Sequence, residues 1–181
     1  MRKIKVLNKN LSNMIAAGEV VERPASDVKE LVENSIDSGA DIITVEIRDG
    51  GKTYIRVTDN GCGMTKEDAR TAFLRHATSK ISCEADLFNI CTMGFRGEAL
   101  AAIAAVSKVE LLTAVSLDYY GTEIIIEGGE EISCKEVGLP EGTTIIVRDL
   151  FYNTPARMNF LKKDATESAN IVSLINKFAI G

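Results

Sequence analysis

The chain has 181 residues, 45% of them hydrophobic, and a formal net charge of -5 at pH 7. That length supports one domain with a sizeable core and burial of about 70% of its unfolded surface, while the acidic balance argues against gripping nucleic acid by bulk electrostatics, which needs clustered Lys and Arg. No apolar run of about eighteen residues occurs, and Met1-Arg2-Lys3-Ile4-Lys5 leads into polar Asn8-Lys9-Asn10, so the chain reads as soluble, cytoplasmic and without membrane contact.

In chain order, Ser12-Asn13 before 14–21 predicts a short capped helix with small residues suited to close packing. Arg23-Pro24 opens a second helix, since proline at the first position loses no needed N–H, and Gly39 supplies a left-handed C-terminal cap. The predicted helix, 24–38, is roughly 20 Å long. Val28, Leu31, Val32 and Ile36 form its apolar stripe; Glu30, Asn34 and Asp37 share the opposite face, with Glu30 and Asn34 side by side. Most such faces are simply solvated. A second polar site needing a carboxylate and an amide opposite it changes that reading, and the chain contains one.

Two alternating runs follow, 41–48 and 52–59, with Ile43, Val45 and Ile47 on one face of the first and Ile55 and Val57 on one face of the second. Asp49-Gly50-Gly51 joins them as an antiparallel hairpin whose buried face lies under the 24–38 helix. The second run ends in Asp59-Asn60-Gly61-Cys62-Gly63-Met64, where a carboxylate and alternate glycines leave backbone open to a flat ligand. The same pattern also occurs in ordinary turns. Thr65 to Asp68 makes a capping box for a helix ending near Leu74. Within Arg75-His76-Ala77-Thr78-Ser79-Lys80-Ile81, His76 reads as structural, and Thr78, Ser79 and Lys80 are better candidates for an anion. Thr92-Met93-Gly94-Phe95-Arg96-Gly97-Glu98 runs into an alanine-rich helix ending near Val106; glycines before a helix N-terminus expose N–H groups to phosphate.

Four more strands are predicted at 108–114, 121–127, 131–137 and 143–148. The fold expected is α+β, a two-layer sandwich of a mainly antiparallel sheet covered by helices. Asn153-Thr154-Pro155 is read as capping a helical segment through Leu161, and an amphipathic helix is expected over 166–179. Cys62, Cys83, Cys91 and Cys134 lack C-x-x-C spacing and accompany a single histidine, so they read as reduced thiols and not as a zinc site.

Taken together, these motifs resemble the GHKL (Bergerat-type) ATPases, and more narrowly the N-terminal ATPase module of the MutL mismatch-repair family. The resemblance rests on Ile15-Ala16-Ala17-Gly18-Glu19-Val20-Val21, Arg23-Pro24-Ala25-Ser26, Glu30 to Asn34, Asp59 to Met64, 75–80, 94–100 and Phe151-Tyr152-Asn153-Thr154-Pro155-Ala156-Arg157, and it spans nearly the whole of 1–181. It implies Glu30 as general base, Asn34 as the Mg2+ ligand, and Asp59 on the adenine amino group of ATP. It further implies Gly61, Gly63 and Thr143 around the base, Thr78, Ser79 and Lys80 near the ligand, and Gly94, Phe95, Arg96 and Gly97 as a phosphate lid. Ser38, where many relatives carry alanine, is expected to leave the site untouched. The resemblance also implies an ATP-driven homodimeric switch working with a mismatch-recognition (MutS-type) protein, a downstream nuclease and helicase, and DNA held by the full-length dimer. The lysine to the terminal phosphate is expected from a second domain beyond Gly181, leaving residues 1–181 nearly inactive as an ATPase and mostly monomeric. Competing readings are a type II topoisomerase ATP module, a histidine kinase, and a nucleotide-binding module without hydrolysis.

Overall fold

The computed structural model describes residues 20–77, 97–116 and 118–180, together with Ile15 and Ala17. Its strands are β1 Ile43–Arg48, β2 Tyr54–Asp59, β3 Lys108–Ala114, β4 Gly121–Glu127, β5 Glu130–Val137 and β6 Gly142–Arg148. They form one sheet in the order β1-β2-β6-β3-β4-β5, and every neighbouring pair is antiparallel. The helices are α1 Pro24–Asp37, α2 Lys66–Thr71, α3 Ala99–Val106, α4 Pro155–Met158 and α5 Asp164–Ile180.

Alternation in the strands becomes continuous apolar rows across the sheet. Val45 pairs with Val57, Val57 with Ile145, Ile145 with Leu111 and Leu111 with Ile124. A parallel row runs through Ile47, Ile55, Val147, Val109 and Ile126. Facing partners share one side of the sheet, and the last four residues of each row are buried in the core with Val28, Leu31, Val32 and Ile103 from the helices. Each such side chain contributes about 1.5–3 kcal/mol by leaving water. The opposite face carries cross-strand polar pairs, Arg56 with Glu46 at 2.6 Å and Arg148 with Glu110 at 2.7 Å. The two-layer α+β expectation therefore matches the observed architecture.

Local differences have local causes. Residues 41 and 42 leave the predicted first strand because the Asp41 and Ile42 N–H groups donate to Asn60 Oδ1, at 3.0 and 2.9 Å. Residues 52 and 53 leave the second because their carbonyls accept from Leu150 and Asp149. The linking Asp49–Gly51 segment is a 3-10 turn with all three φ angles positive. α1 stops at Asp37, one residue short, with Gly39 at φ 76 turning the chain. α2 does end early, at Thr71, although Thr65 caps it as expected by accepting from Asp68 N. The capping role read for Asn153-Thr154 is not found: Thr154 makes no cap bond, Asn153 donates to Ala105 O at 2.9 Å, and α4 ends at Met158. α5 starts at Asp164, two residues early, and packs on α1 and on the Asp49–Gly51 turn. Ile15, Ala17 and Val20 are helical, with Ala17 buried, as the predicted 14–21 helix requires, but Val21 lies outside the helix, which stops one residue short of the expected end; positions 14, 16, 18 and 19 lie outside the described residues.

Candidate functional site

The site is organised by the join between the end of α1 and the end of β2. Asp59 is the last residue of β2, and both of its carboxylate oxygens are held. Ser35 Oγ donates to Oδ2 at 2.7 Å, and the Gly61 N–H donates to Oδ1 at 3.0 Å. Ser35 is 3% exposed because it lies on the sheet side of α1, and its hydroxyl also sits 3.1 Å from Leu31 O. Ser38 Oγ donates to Ser35 O at 2.7 Å, and the Cys62 N–H donates to Ser38 O at 3.1 Å. A Cβ on Gly61 would collide with Ser38 Oγ. Ser38 is thus part of the seam that sets the Asp59–Gly63 loop, through its backbone carbonyl, while its hydroxyl turns back onto its own helix.

Beyond Gly61 the loop turns through Gly63 at φ 66, where a Cβ would strike the Ala114 carbonyl oxygen. Only glycine meets both conditions without strain. The next residue is fixed by Thr113: the Met64 N–H donates to Thr113 Oγ1 at 2.9 Å, and that hydroxyl donates to Gly142 O at 3.1 Å. Thr113 is 1% exposed and lies 3.0 Å, oxygen to oxygen, from Thr143, which in turn is the cross-strand partner of Asp59. Insertion of β6 between β2 and β3 therefore brings Asp59, Gly61, Gly63 and Thr143 into one neighbourhood. Sequence reasoning missed Ser35 and Thr113, the two buried hydroxyls that hold it.

Glu30 and Asn34 lie on α1 ahead of Ser35, both half-buried. Lys29 Nζ is 3.9 Å from Glu30 Oε1 and 2.8 Å from Glu33 Oε1. Asp27, one turn earlier, is fully buried; burial first, and then the charge of Glu30, push its carboxyl well above the ordinary aspartate range. On the other side, His76 Nδ1 sits 3.1 Å from Glu98 Oε1, so His76 joins the segment after α2 to the start of α3. Gly97, at φ 60, backs onto the Ala77 carbonyl and has no room for a Cβ. Thr78, Ser79, Lys80, Gly94, Phe95 and Arg96 lie outside the described residues. Cys62 and Cys134 are free thiols, and no described helix is long and apolar enough to cross a membrane.

Residues 22–125 match the family model for the histidine kinase-, DNA gyrase B-, and HSP90-like ATPases. Over 99% of its length the chain is 55% identical to the DNA mismatch repair protein MutL of Caldanaerobacter subterraneus subsp. tengcongensis. Over 98% it is 56% identical to MutL of Geotalea uraniireducens. The chain spans 30% of the length of each of these relatives. Its structure is similar to that of the Aquifex aeolicus MutL ATPase domain complexed with ADP, with a TM-score of 0.73 at 38% identity over 88% of this chain and 56% of that one. These likenesses do not favour the topoisomerase and histidine-kinase readings. With more than half of its residues covered by the family model, the chain belongs to the histidine kinase-, DNA gyrase B-, and HSP90-like ATPases, in their MutL branch.

Proposed function

We propose that the chain is the ATP-binding and ATP-hydrolysing module of a mismatch-repair protein. The observation that carries this reading is the clamped carboxylate of Asp59. Two donors fix its orientation at a strand end beside two glycines that keep side chains out of the way. A carboxylate so held accepts from an exocyclic amino group of a flat base, which is how adenine is recognised here. Gly61, Gly63 and Thr143 surround that base.

Catalysis is assigned to α1. Glu30 is the general base that polarises the attacking water, and a half-exposed carboxylate suits that task because it reaches solvent. Asn34, on the same row of the helix, offers a hard amide oxygen. Mg2+ takes few ligands from protein and the remainder from phosphates and water, so one such oxygen fits it. Asn34 would hold the ion, which would supply positive charge to offset that of the phosphates. Thr78, Ser79 and Lys80 complete the ligand side, and Gly94, Phe95, Arg96 and Gly97 form the lid. Helix α3 follows that lid directly and presents its positive end to the phosphates.

In a protein of the relatives' length, a following domain supplies the lysine to the terminal phosphate. ATP then closes a homodimer, and the switch acts in the cytoplasm with a MutS-type mismatch-recognition protein, a nuclease, a helicase and DNA. The test is a calorimetric titration of the chain with ATP, with and without Mg2+. Tighter binding with the metal is expected, and no binding to the folded chain under either condition would overturn the reading.

A further inference from the structure

Two apolar rows cross the helix-covered side of the sheet, and the row beyond them is polar. Asp59 faces Thr143, Thr143 faces Thr113 and Thr113 faces Thr122, each two residues along its strand from the apolar row of Val57, Ile145, Leu111 and Ile124. Thr113 is 1% exposed, whereas Thr143 is half-buried. Three groups lie within hydrogen-bond distance of Thr113 Oγ1: Met64 N at 2.9 Å, Gly142 O at 3.1 Å and Thr143 Oγ1 at 3.0 Å. A hydroxyl has one hydrogen to give and two lone pairs to offer. The Met64 N–H takes one lone pair, and Gly142 O, an acceptor alone, takes the hydrogen. What is left for Thr143 is the second lone pair, so the Thr143 O–H donates to Thr113. The three contacts together use the full bonding capacity of one buried hydroxyl.

The direction of that last bond decides what Thr143 shows to a ligand. With its hydrogen committed to Thr113, Thr143 Oγ1 has lone pairs alone to turn toward the site, and it stands opposite Asp59, whose carboxylate accepts as well. We propose that Thr113 is a positioning residue that sets base specificity: by holding the Thr143 hydrogen it makes Asp59 and Thr143 two neighbouring acceptors. Such a pair matches the two N–H bonds of an exocyclic amino group and opposes a carbonyl oxygen in the same place. A Thr143 hydroxyl released from Thr113 would rotate, donate to that carbonyl and weaken the discrimination. This rests on the adenine reading of Asp59. Filling the core does not call for the Thr113 hydroxyl, since valine has nearly the same shape and suits a buried strand at least as well.

The test is calorimetric titration of the chain with ADP and, by displacement of ADP, with inosine diphosphate, both with Mg2+; inosine carries a carbonyl where adenine carries the amino group. Thr113→Val removes the hydroxyl and keeps the shape, and the preference for ADP over inosine diphosphate should fall roughly threefold to tenfold, the worth of one neutral hydrogen bond. Thr113→Ser keeps all three contacts and should retain the wild-type preference. Thr143→Val should lower the preference to the same extent, and adding Thr113→Val to it should lower it no further. Should Thr113→Val not fold, Thr113→Ala is read in the same way. An unchanged preference in the folded Val variant, an equal loss of both nucleotides as a merely structural role would give, or a Ser variant as altered as the Val one overturns the proposal. Asp59→Asn separates the two layers: wild-type ADP affinity in that variant removes the adenine reading itself, whereas a weakened Asp59→Asn beside an unaltered preference in Thr113→Val removes only the role given to Thr113.

Discussion

Replacing Asp59 by Asn changes charge without changing shape, and the structure shows how the fold would absorb it. The amide can keep its Oδ1 toward the Gly61 N–H, now 3.0 Å away, and place its nitrogen where Oδ2 sat, 2.7 Å from Ser35 Oγ. Ser35 then accepts from the amide and sends its own hydrogen to Leu31 O, 3.1 Å away. Both contacts survive as neutral hydrogen bonds. A bond to a charged group is worth about 1.5–3 kcal/mol and a neutral one about 0.5–1.5, so with two such bonds the variant should lose about 2–3 kcal/mol of stability and remain folded. Ligand binding suffers as well, because the amide nitrogen turns a donor toward the side from which a base must approach. Losing one charge-assisted acceptor there weakens adenine nucleotides more than tenfold. Calorimetric titration with ADP and Mg2+, run beside a thermal melt, separates the two effects. Wild-type affinity in a folded Asp59→Asn protein would refute the adenine assignment.

Glu30→Ala should keep Mg-ATP binding but lose hydrolysis in the full-length protein by about 10² to 10⁴-fold, the usual worth of a general base; turnover at the wild-type rate would move the base elsewhere. Asn34→Ala should weaken ATP binding only in the presence of Mg2+, so equal losses with and without the metal in parallel titrations would disprove the ligand role. Gly63→Ala places a Cβ against the Ala114 carbonyl at a positive φ, and thermal or urea melts should show a loss of about 2 kcal/mol or more. Asp27 makes stability depend on pH with a definite sign. Because burial and Glu30 raise its folded value, its contribution is complete below about pH 4 and is lost as pH rises from there toward the folded value. Asp27→Asn should therefore gain stability over wild type with increasing pH, and melts showing a pH-independent difference would contradict this.

Elements defined by local chemistry were legible in the sequence. Pro24 and Gly39 bracket α1, the alternation of β3 and β4 gives their limits, and Asp59 is recognisable as a carboxylate ahead of two glycines. What could not be read was long-range. Nothing in 142–148 announces that this strand inserts between β2 and β3, yet that insertion is what sets Thr143 opposite Asp59. The capping role read for Asn153 failed for the same reason, since Asn153 turns away from its own helix to reach Ala105 across the fold.

The hydroxyls that were missed share a signal. Thr113 follows Val109 and Leu111 in the buried phase of β3, and Ser35 stands between Leu31, Val32 and Ile36 on the buried side of α1. A polar residue in phase with the apolar period must find a partner inside the protein, since leaving it unpaired costs about 1–3 kcal/mol. Ser35 and Thr113 find theirs at the loop that carries Asp59, Gly61 and Gly63. Asp27, buried in the first turn of the same helix, leaves one oxygen without any. Three polar residues buried among apolar neighbours thus lie on the one helix and the one strand that bound the proposed nucleotide site. A core selected for stability alone would have apolar side chains at these positions, and the two that are satisfied restrain the loop whose geometry decides whether a base can be recognised.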